Sequence, residues 1–249
     1  MPSDIINTRT IQHKPIDIPA IILAGGLGTR LRSAVSDLPK CLAPVAGKPF
    51  LAYVIGHLQR CGLNNFILAA GYRHELLEAF ITREYSGLSI KIHVEHELMG
   101  TGGAIRECCR LTGSEDVLVV NGDTLFECHA DNLLQLHQSR NADCTLCLKP
   151  MRNFDRYGTV ALQDDGRILR FSEKGYCAEG LINAGVYCLN RSTFLARNFP
   201  EKFSFEQDYL SAQVHEQRFY GMVQDAYFID IGIPEDYARA QEELKAAHD

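Results

Sequence analysis

Two fixed cations, Arg30 and Lys40, follow the glycines Gly25, Gly26 and Gly28, which themselves leave the apolar segment Ala20 to Leu23. Glycines placed there allow positive φ angles and close backbone approach, so several N–H groups can turn toward one anion with no Cβ in the way. Arginine adds a planar fork and lysine a point charge, a set that suits the phosphates of a nucleoside triphosphate. Spacing excludes two other phosphate motifs. A dinucleotide fingerprint needs a glycine where this chain has Leu31, and a P-loop needs Ser or Thr after Gly47-Lys48, where Pro49 stands. The plain alternative for the stretch is a glycine-rich turn after a buried strand.

Acidic chemistry falls at strand ends, where an open α/β sheet places its ligands. Asp123 closes Asn121-Gly122-Asp123 directly after the apolar run Val117 to Val120. Its carboxylate is expected in the crevice, a place suited to a hard divalent cation shared with phosphate oxygens. Asp230 interrupts Phe228-Ile229 and Ile231-Gly232, and an aspartate in an apolar strand is costly unless paired or metal-bound. Glu173-Lys174 and Asn183 are polar intrusions beside strands, each open to a bland account as an exposed turn or a side chain satisfied by backbone. Gly100-Thr101-Gly102-Gly103-Ala104 opens a helix, where free N–H groups could face a base edge or an anion.

Bringing these segments together takes a regular alternation of strand and helix, and the chain carries one. Expected strands are Ala20 to Leu23, Phe66 to Ala70, Ile90 to Val94 and Val117 to Val120. Between them lie helices on Leu51, Val54, Ile55 and Leu58, on Leu76, Leu77 and Phe80, and over Gly102 to Leu111. That order predicts a doubly wound, mostly parallel Rossmann-like α/β sheet. The second half reads as mixed: a hairpin of Thr159 to Leu162 and Ile168 to Phe171, strands Leu181 to Leu189, Tyr220 to Val223 and Tyr227 to Ile231, a helix Phe205 to Val214, and a closing helix opened by Pro234.

With 249 residues and 46% hydrophobic content the chain can bury a substantial core. Residues 1–18 read as a polar extension. Residues 19–249 read as one domain, with a nucleotide-binding half over about 19–125 and a substrate half over about 126–249. A net charge of −6 argues against a nucleic-acid surface or a polybasic membrane patch. No stretch reaches the about 20 apolar residues of a membrane helix. Nine cysteines, an odd count without disulfide or zinc spacing, point to the cytoplasm. Cys144 and Cys147 fall in a strand pattern that puts their thiols on opposite faces.

Taken in order, these segments resemble the sugar-1-phosphate nucleotidyltransferases. Gly25 to Leu31 resembles that family's Gly-Gly-x-Gly-Thr-Arg-Leu signature, Pro39-Lys40 its Pro-Lys, and Gly100 to Ala104 the Gly-Thr-Gly-Gly-Ala of several branches. Asn121-Gly122-Asp123, Tyr157-Gly158, Glu173-Lys174, Asn183-Ala184-Gly185 and Phe228 to Gly232 are similar to its later motifs. The wording is most similar to the branch using GTP and D-glycero-α-D-manno-heptose 1-phosphate, with Met99 and Cys41 where prolines are usual.

The resemblance implies attack of a sugar 1-phosphate oxygen on the α-phosphorus, departure of pyrophosphate, and a nucleotide sugar for cell-surface polysaccharide. It implies Mg²⁺ on Asp123 and Asp230, Arg30 on the pyrophosphate, Lys40 near the α-phosphate, and Lys174 on the sugar phosphate. Leu23, Ala24, Gly25, Gly26, Gly28, Thr29, Gly100, Thr101, Gly102 and Gly103 would meet the nucleotide, and Gly158, Glu173 and Asn183 the sugar. A monomer or homodimer is expected, without the extra β-helix domain of some relatives. Mannose 1-phosphate with GTP, N-acetylmuramate 1-phosphate with UTP, a silent nucleotide-sugar sensor and a glycosyltransferase stand as alternatives.

Overall fold

The structure, a computed structural model, describes residues 15–26 and 37–246. The first half runs β1 (Ala20–Leu23), a small hairpin of β2 (Pro44–Val45) and β3 (Lys48–Pro49), α1 (Phe50–Arg60), β4 (Asn65–Ala70), α2 (His74–Glu84), β5 (Ser89–Val94), α3 (Gly100–Arg110) and β6 (Asp116–Asn121). The second half begins with β7 (Thr124–Phe126), α4 (Ala130–Ser139), β8 (Cys144–Phe154), β9 (Val160–Leu162), β10 (Ile168–Phe171) and β11 (Cys177–Asn190). After α5 (Arg191–Leu195) and a π-helical segment, Phe205–Ser211, it closes with β12 (Phe219–Val223), β13 (Phe228–Asp230) and α6 (Pro234–Ala246).

One seven-stranded sheet in the order β12-β8-β11-β6-β1-β4-β5 spans the molecule. β1 pairs in parallel with β4 and with β6, and β4 with β5. β11 runs antiparallel to both β6 and β8, while β12 is parallel to β8. The parallel half is therefore doubly wound and the other half mixed, as the sequence pattern implies. Because the chain leaves β1 toward β4 on one side and returns through β6 on the other, a crevice opens at the carboxyl ends of β1 and β6.

Strand residues alternate between two cores. Ala20, Ile22, Leu118 and Val120 face α1, α2, α4 and α6, whereas Ile21, Val117 and Val119 face α3, α5 and the π-helical segment. Cys144 and Cys147 fall in opposite cores, as a strand's two-residue period requires. Helix α1 shows how the layers are sealed. Leu51, Val54, Ile55 and Leu58 recur at helical spacing and are all buried, each stabilising the fold by roughly 1.5–3 kcal/mol. The helix stops at Gly62, whose φ of 91° takes the chain off the helical path.

Several elements depart from the sequence reading, α4 and the π-helical segment among them. α4 is not signalled, because its buried stripe is only Ala130, Leu133 and His137; the imidazole of His137 fills a core position by bonding Thr145 Oγ1 at 3.0 Å. The helix expected over Phe205 to Val214 is π-helical through Ser211, which turns Phe205, Tyr209 and Leu210 all inward.

Candidate active site

Lys40 begins a 3₁₀ turn, Lys40–Leu42, fixed by Leu42 N–H donating to the Pro39 carbonyl at 2.8 Å and by burial of Cys41 and Leu42. Anchored there, the lysine projects over the crevice. Its Nζ lies 2.5 Å from Asp123 Oδ2 and 3.9 Å from Asp230 Oδ1. The two aspartates, 107 positions apart in sequence, meet because β7 and β13 form an antiparallel ribbon in which Asp230 faces Thr124. Ile231 N–H also donates to the Asp123 carbonyl at 3.0 Å. β7 is another element the sequence reading lacked, and it is what makes the pair.

Burial pushes the Asp230 carboxyl above the ordinary carboxylate range and the charge of Asp123 adds to this; Lys40, the Gly232 N–H and Arg156 oppose it. Two carboxylates facing one ammonium leave negative charge for a second cation, so the pair fits a divalent ion. Among the described residues no three His, Cys, Asp or Glu side chains converge as a metal site. A hard divalent ion held by one or two carboxylates takes its remaining oxygens from water or substrate.

Asp230 also belongs to the wall of a cavity of about 460 Å³, together with Asn121, Thr124, Arg156, Lys174 and Asn183. A second cavity of about 420 Å³ adjoins it and is lined by Gly158, Glu173 and Gln207. Tyr157, Lys174, Asn183 and Glu206 line both. The four residues assigned to the sugar phosphate thus lie around one continuous space. Asn183 is also internally satisfied: its Nδ2 donates to Tyr187 Oη at 2.9 Å and its Oδ1 accepts from Gly185 N–H at 3.1 Å. Those bonds shape the irregularity in β11 between Asn183 and Tyr187.

On the nucleotide side, Gly28, Thr29 and Arg30 lie outside the described residues. Neither Gly25 nor Gly26 takes a positive φ, which corrects the first reason given for them; what they supply is room. A Cβ on Gly25 would fall 2.9 Å from Glu95 Oε2, while one on Gly26 would meet no atom within 4 Å among the described residues. Leu23 and Ala24 have backbone groups already engaged, the Leu23 carbonyl accepting from Gly122 N–H and the Ala24 N–H donating to Ala69 O, both at 2.9 Å.

Gly100, Gly102 and Gly103 are packed against the segment leading into the π-helix. Gly100 has a φ of 73°, and its Cβ would strike the Phe203 carbonyl at 2.5 Å. A Cβ on Gly102 would enter the Phe203 ring at 2.2 Å, and one on Gly103 would meet Met99 Cβ at 2.5 Å. The Gly102 N–H donates to Phe203 O at 3.0 Å, so that donor of the helix start is already used. Thr101 Oγ1 donates to Glu206 Oε2 at 2.8 Å, tying α3 to the cavity wall.

Glu95 is the functional candidate that the sequence reading missed. It is half-buried at the end of β5, its N–H donating to the Ala70 carbonyl at 2.8 Å. Its Oε1 accepts from Met99 N–H at 3.3 Å, a bond that the usual proline at position 99 could not donate. Burial pushes its carboxyl up and the Met99 N–H opposes this. The strand-end rule that singled out Asp123 applies equally to Glu95. At the other departure, Cys41 keeps the turn and aims its thiol at the Ala24 carbonyl, 3.8 Å away; burial pushes that thiol up to about 12.

Comparison with known proteins agrees with this architecture. A family model described as Nucleotidyl transferase matches residues 19–247. The chain is 51% identical over 226 residues to the D-glycero-alpha-D-manno-heptose 1-phosphate guanylyltransferase of Aneurinibacillus thermoaerophilus, covering 91% of this chain and 98% of that one. It is 42% identical over 218 residues to the protein of the same name from Campylobacter jejuni, covering 88% and 96%. The crystal structure of HddC from Yersinia pseudotuberculosis complexed with GMP-PN matches with a TM-score of 0.83 and 34% identity, over 92% of this chain and 100% of that chain. The family match over residues 19–247, on a doubly wound sheet with Lys40, Asp123 and Asp230 at its crevice, shows that the chain belongs to the nucleotidyl transferase family.

Proposed function

We propose that this chain transfers a guanylyl group from GTP to D-glycero-α-D-manno-heptose 1-phosphate, releasing pyrophosphate and forming a nucleotide sugar for cell-surface polysaccharide. The observation that carries the reading is Asp230, which belongs at once to the Lys40 and Asp123 cluster and to the wall of the cavity holding Lys174. A phosphate-activating centre and a phosphate-binding cation thereby share one space. The choice of substrates leans on the relatives of 51% and 42% identity that carry this name.

The attacking phosphate oxygen is already anionic, so no general base is needed. The barrier lies in bringing two anions together and stabilising the charge that builds in the transition state. Asp123 and Asp230 would hold Mg²⁺, which when bound supplies Lewis-acid stabilisation of charge on the transferred phosphate. Lys40, drawn off Asp123, turns its ammonium to the α-phosphate oxygens. Arg30 offers its fork to the departing pyrophosphate. Lys174 holds the sugar phosphate in attacking position, while Gly158, Glu173 and Asn183 face the sugar.

Glu95 supports guanine as the base. A carboxylate only accepts hydrogen bonds, and guanine presents N1–H and the N2 amino group side by side on one edge. Uracil offers a single N–H between two carbonyls, which a carboxylate repels. The nine free cysteines suit a reducing compartment such as the cytoplasm, and among the described residues no helix is long and apolar enough to cross a membrane. The test is pyrophosphate release across a panel of nucleoside triphosphates and sugar 1-phosphates. Turnover is expected to be fastest with GTP and the heptose phosphate; binding without release would instead identify a sensor.

A further inference from the structure

The cavity wall holds one more cation than the scheme above employs. Arg156, half-buried, lines the first cavity with Thr124, Phe228 and Asp230. Its Nη1 donates to Asp236 in the first turn of α6, and its guanidinium carbon lies 5.5 Å from the centre of the Tyr157 ring. Tyr157 meets the Phe228 ring edge-on at 5.8 Å, which keeps the arginine on the same side of the ribbon as Asp230.

The division between the two cavities says which part of a substrate Arg156 would meet. Asp230, Thr124 and Arg156 line only the first, whereas Gly158, Glu173 and Gln207 line only the second. Asp230 and its partners Asp123 and Lys40 mark where phosphorus reacts, so the first cavity is the phosphate end and the second the sugar end. Lys174 stands at their junction. A phosphate monoester carries close to two negative charges near neutral pH, and one lysine balances only part of that while the phosphate approaches another anion.

Arg156 can leave its present partner at small cost. Asp236 is shared: Arg239 Nη1 also forms an ion pair with it, 3.0 Å from its Oδ1. When Arg156 turns away, that buried carboxylate keeps a cation, and the penalty of an orphaned buried charge does not arise.

We propose that Arg156 binds the phosphate of the sugar 1-phosphate together with Lys174, and that Asp236 holds the guanidinium ready while the cavity is empty. The inference rests on the nucleotidyltransferase reading and not on which sugar is used. Arg156→Ala, Arg156→Lys and Asp236→Asn are assayed with the best sugar 1-phosphate of the wild-type panel. Its binding is also measured by calorimetry, with a non-hydrolysable GTP analogue present.

Arg156→Ala is expected to raise the KM and Kd for the sugar 1-phosphate at least tenfold while leaving the KM for GTP within twofold. Arg156→Lys should fall between, and Asp236→Asn should leave the sugar-phosphate KM within threefold of wild type. The proposal is overturned if Arg156→Ala and Asp236→Asn lower the Tm alike with both KM values unchanged, or raise both KM values in parallel, since the pair is then only a tie between the loop and α6. Wild-type protein that releases pyrophosphate with no sugar 1-phosphate would sink the underlying reading before any variant is made. In that event the calorimetry alone decides the role of Arg156, and equal binding by wild type and Arg156→Ala overturns it.

Discussion

At the scale of single residues, Asp123 is the group on which the proposed chemistry depends most, because it is the partly exposed carboxylate closest to Lys40. Asp123→Ala is therefore expected to lower kcat by at least a hundredfold while far-UV circular dichroism and Tm stay near wild type. Unchanged turnover at limiting Mg²⁺ would remove its metal role. In the proposed reading, Glu95 is the corresponding residue for base choice. Glu95→Gln replaces one acceptor oxygen by a donor, and a bidentate base contact is worth about 1–3 kcal/mol. The ratio of kcat/KM for GTP over UTP is expected to fall by roughly tenfold or more, and an unchanged ratio would assign guanine recognition elsewhere. Residue type and strand-end position made Asp123 and Asp230 legible in the sequence. Glu95 shares that strand-end position but went unread because it follows the half-exposed strand β5, where a glutamate reads as ordinary surface; Gly25, 70 positions earlier, comes beside it only after β1 and β5 take their places in one sheet.

Among elements, the short ones set the geometry. β7 has three residues and pairs with β13 over three positions, yet that ribbon turns two distant aspartates into a pair. A three-residue strand has too few alternations to register as a pattern, so the sequence reading found both aspartates and left their meeting unexplained. The glycines opening α3 carry a similar lesson. Their spacing suggested a helix start with free N–H groups facing a base edge or an anion; the structure packs Gly102 and Gly103 against Phe203 and Met99 and uses the Gly102 N–H, one of those donors, internally. Gly102→Val, which drives branched carbon into the Phe203 ring, is expected to cost about 1–3 kcal/mol of stability from overpacking, read as a lower Tm with GTP absent. A variant as stable as wild type would show that Phe203 can step aside and that this glycine is kept for the ligand.

For the molecule as a whole, alternating apolar strands and one-sided helices announced a doubly wound half and a mixed half, and the sheet order agrees. The long strand β11 could be read as a strand but not as the place where the sheet reverses, since antiparallel pairing with β6 and β8 depends on partners far away in sequence. That reversal matters for the proposed function: it brings Lys174 and Asn183 to the cavity whose wall includes Asp230. The central claim is that this crevice joins two phosphorylated substrates through one centre built from Lys40, Asp123 and Asp230. The most direct measurement is steady-state pyrophosphate release with GTP and D-glycero-α-D-manno-heptose 1-phosphate, in Mg²⁺ and again after chelation. The expected result is nucleotide-sugar formation that requires both substrates and is lost on chelation and restored by added Mg²⁺. Pyrophosphate release that proceeds without the sugar phosphate, or persists after the cation is removed, would contradict it.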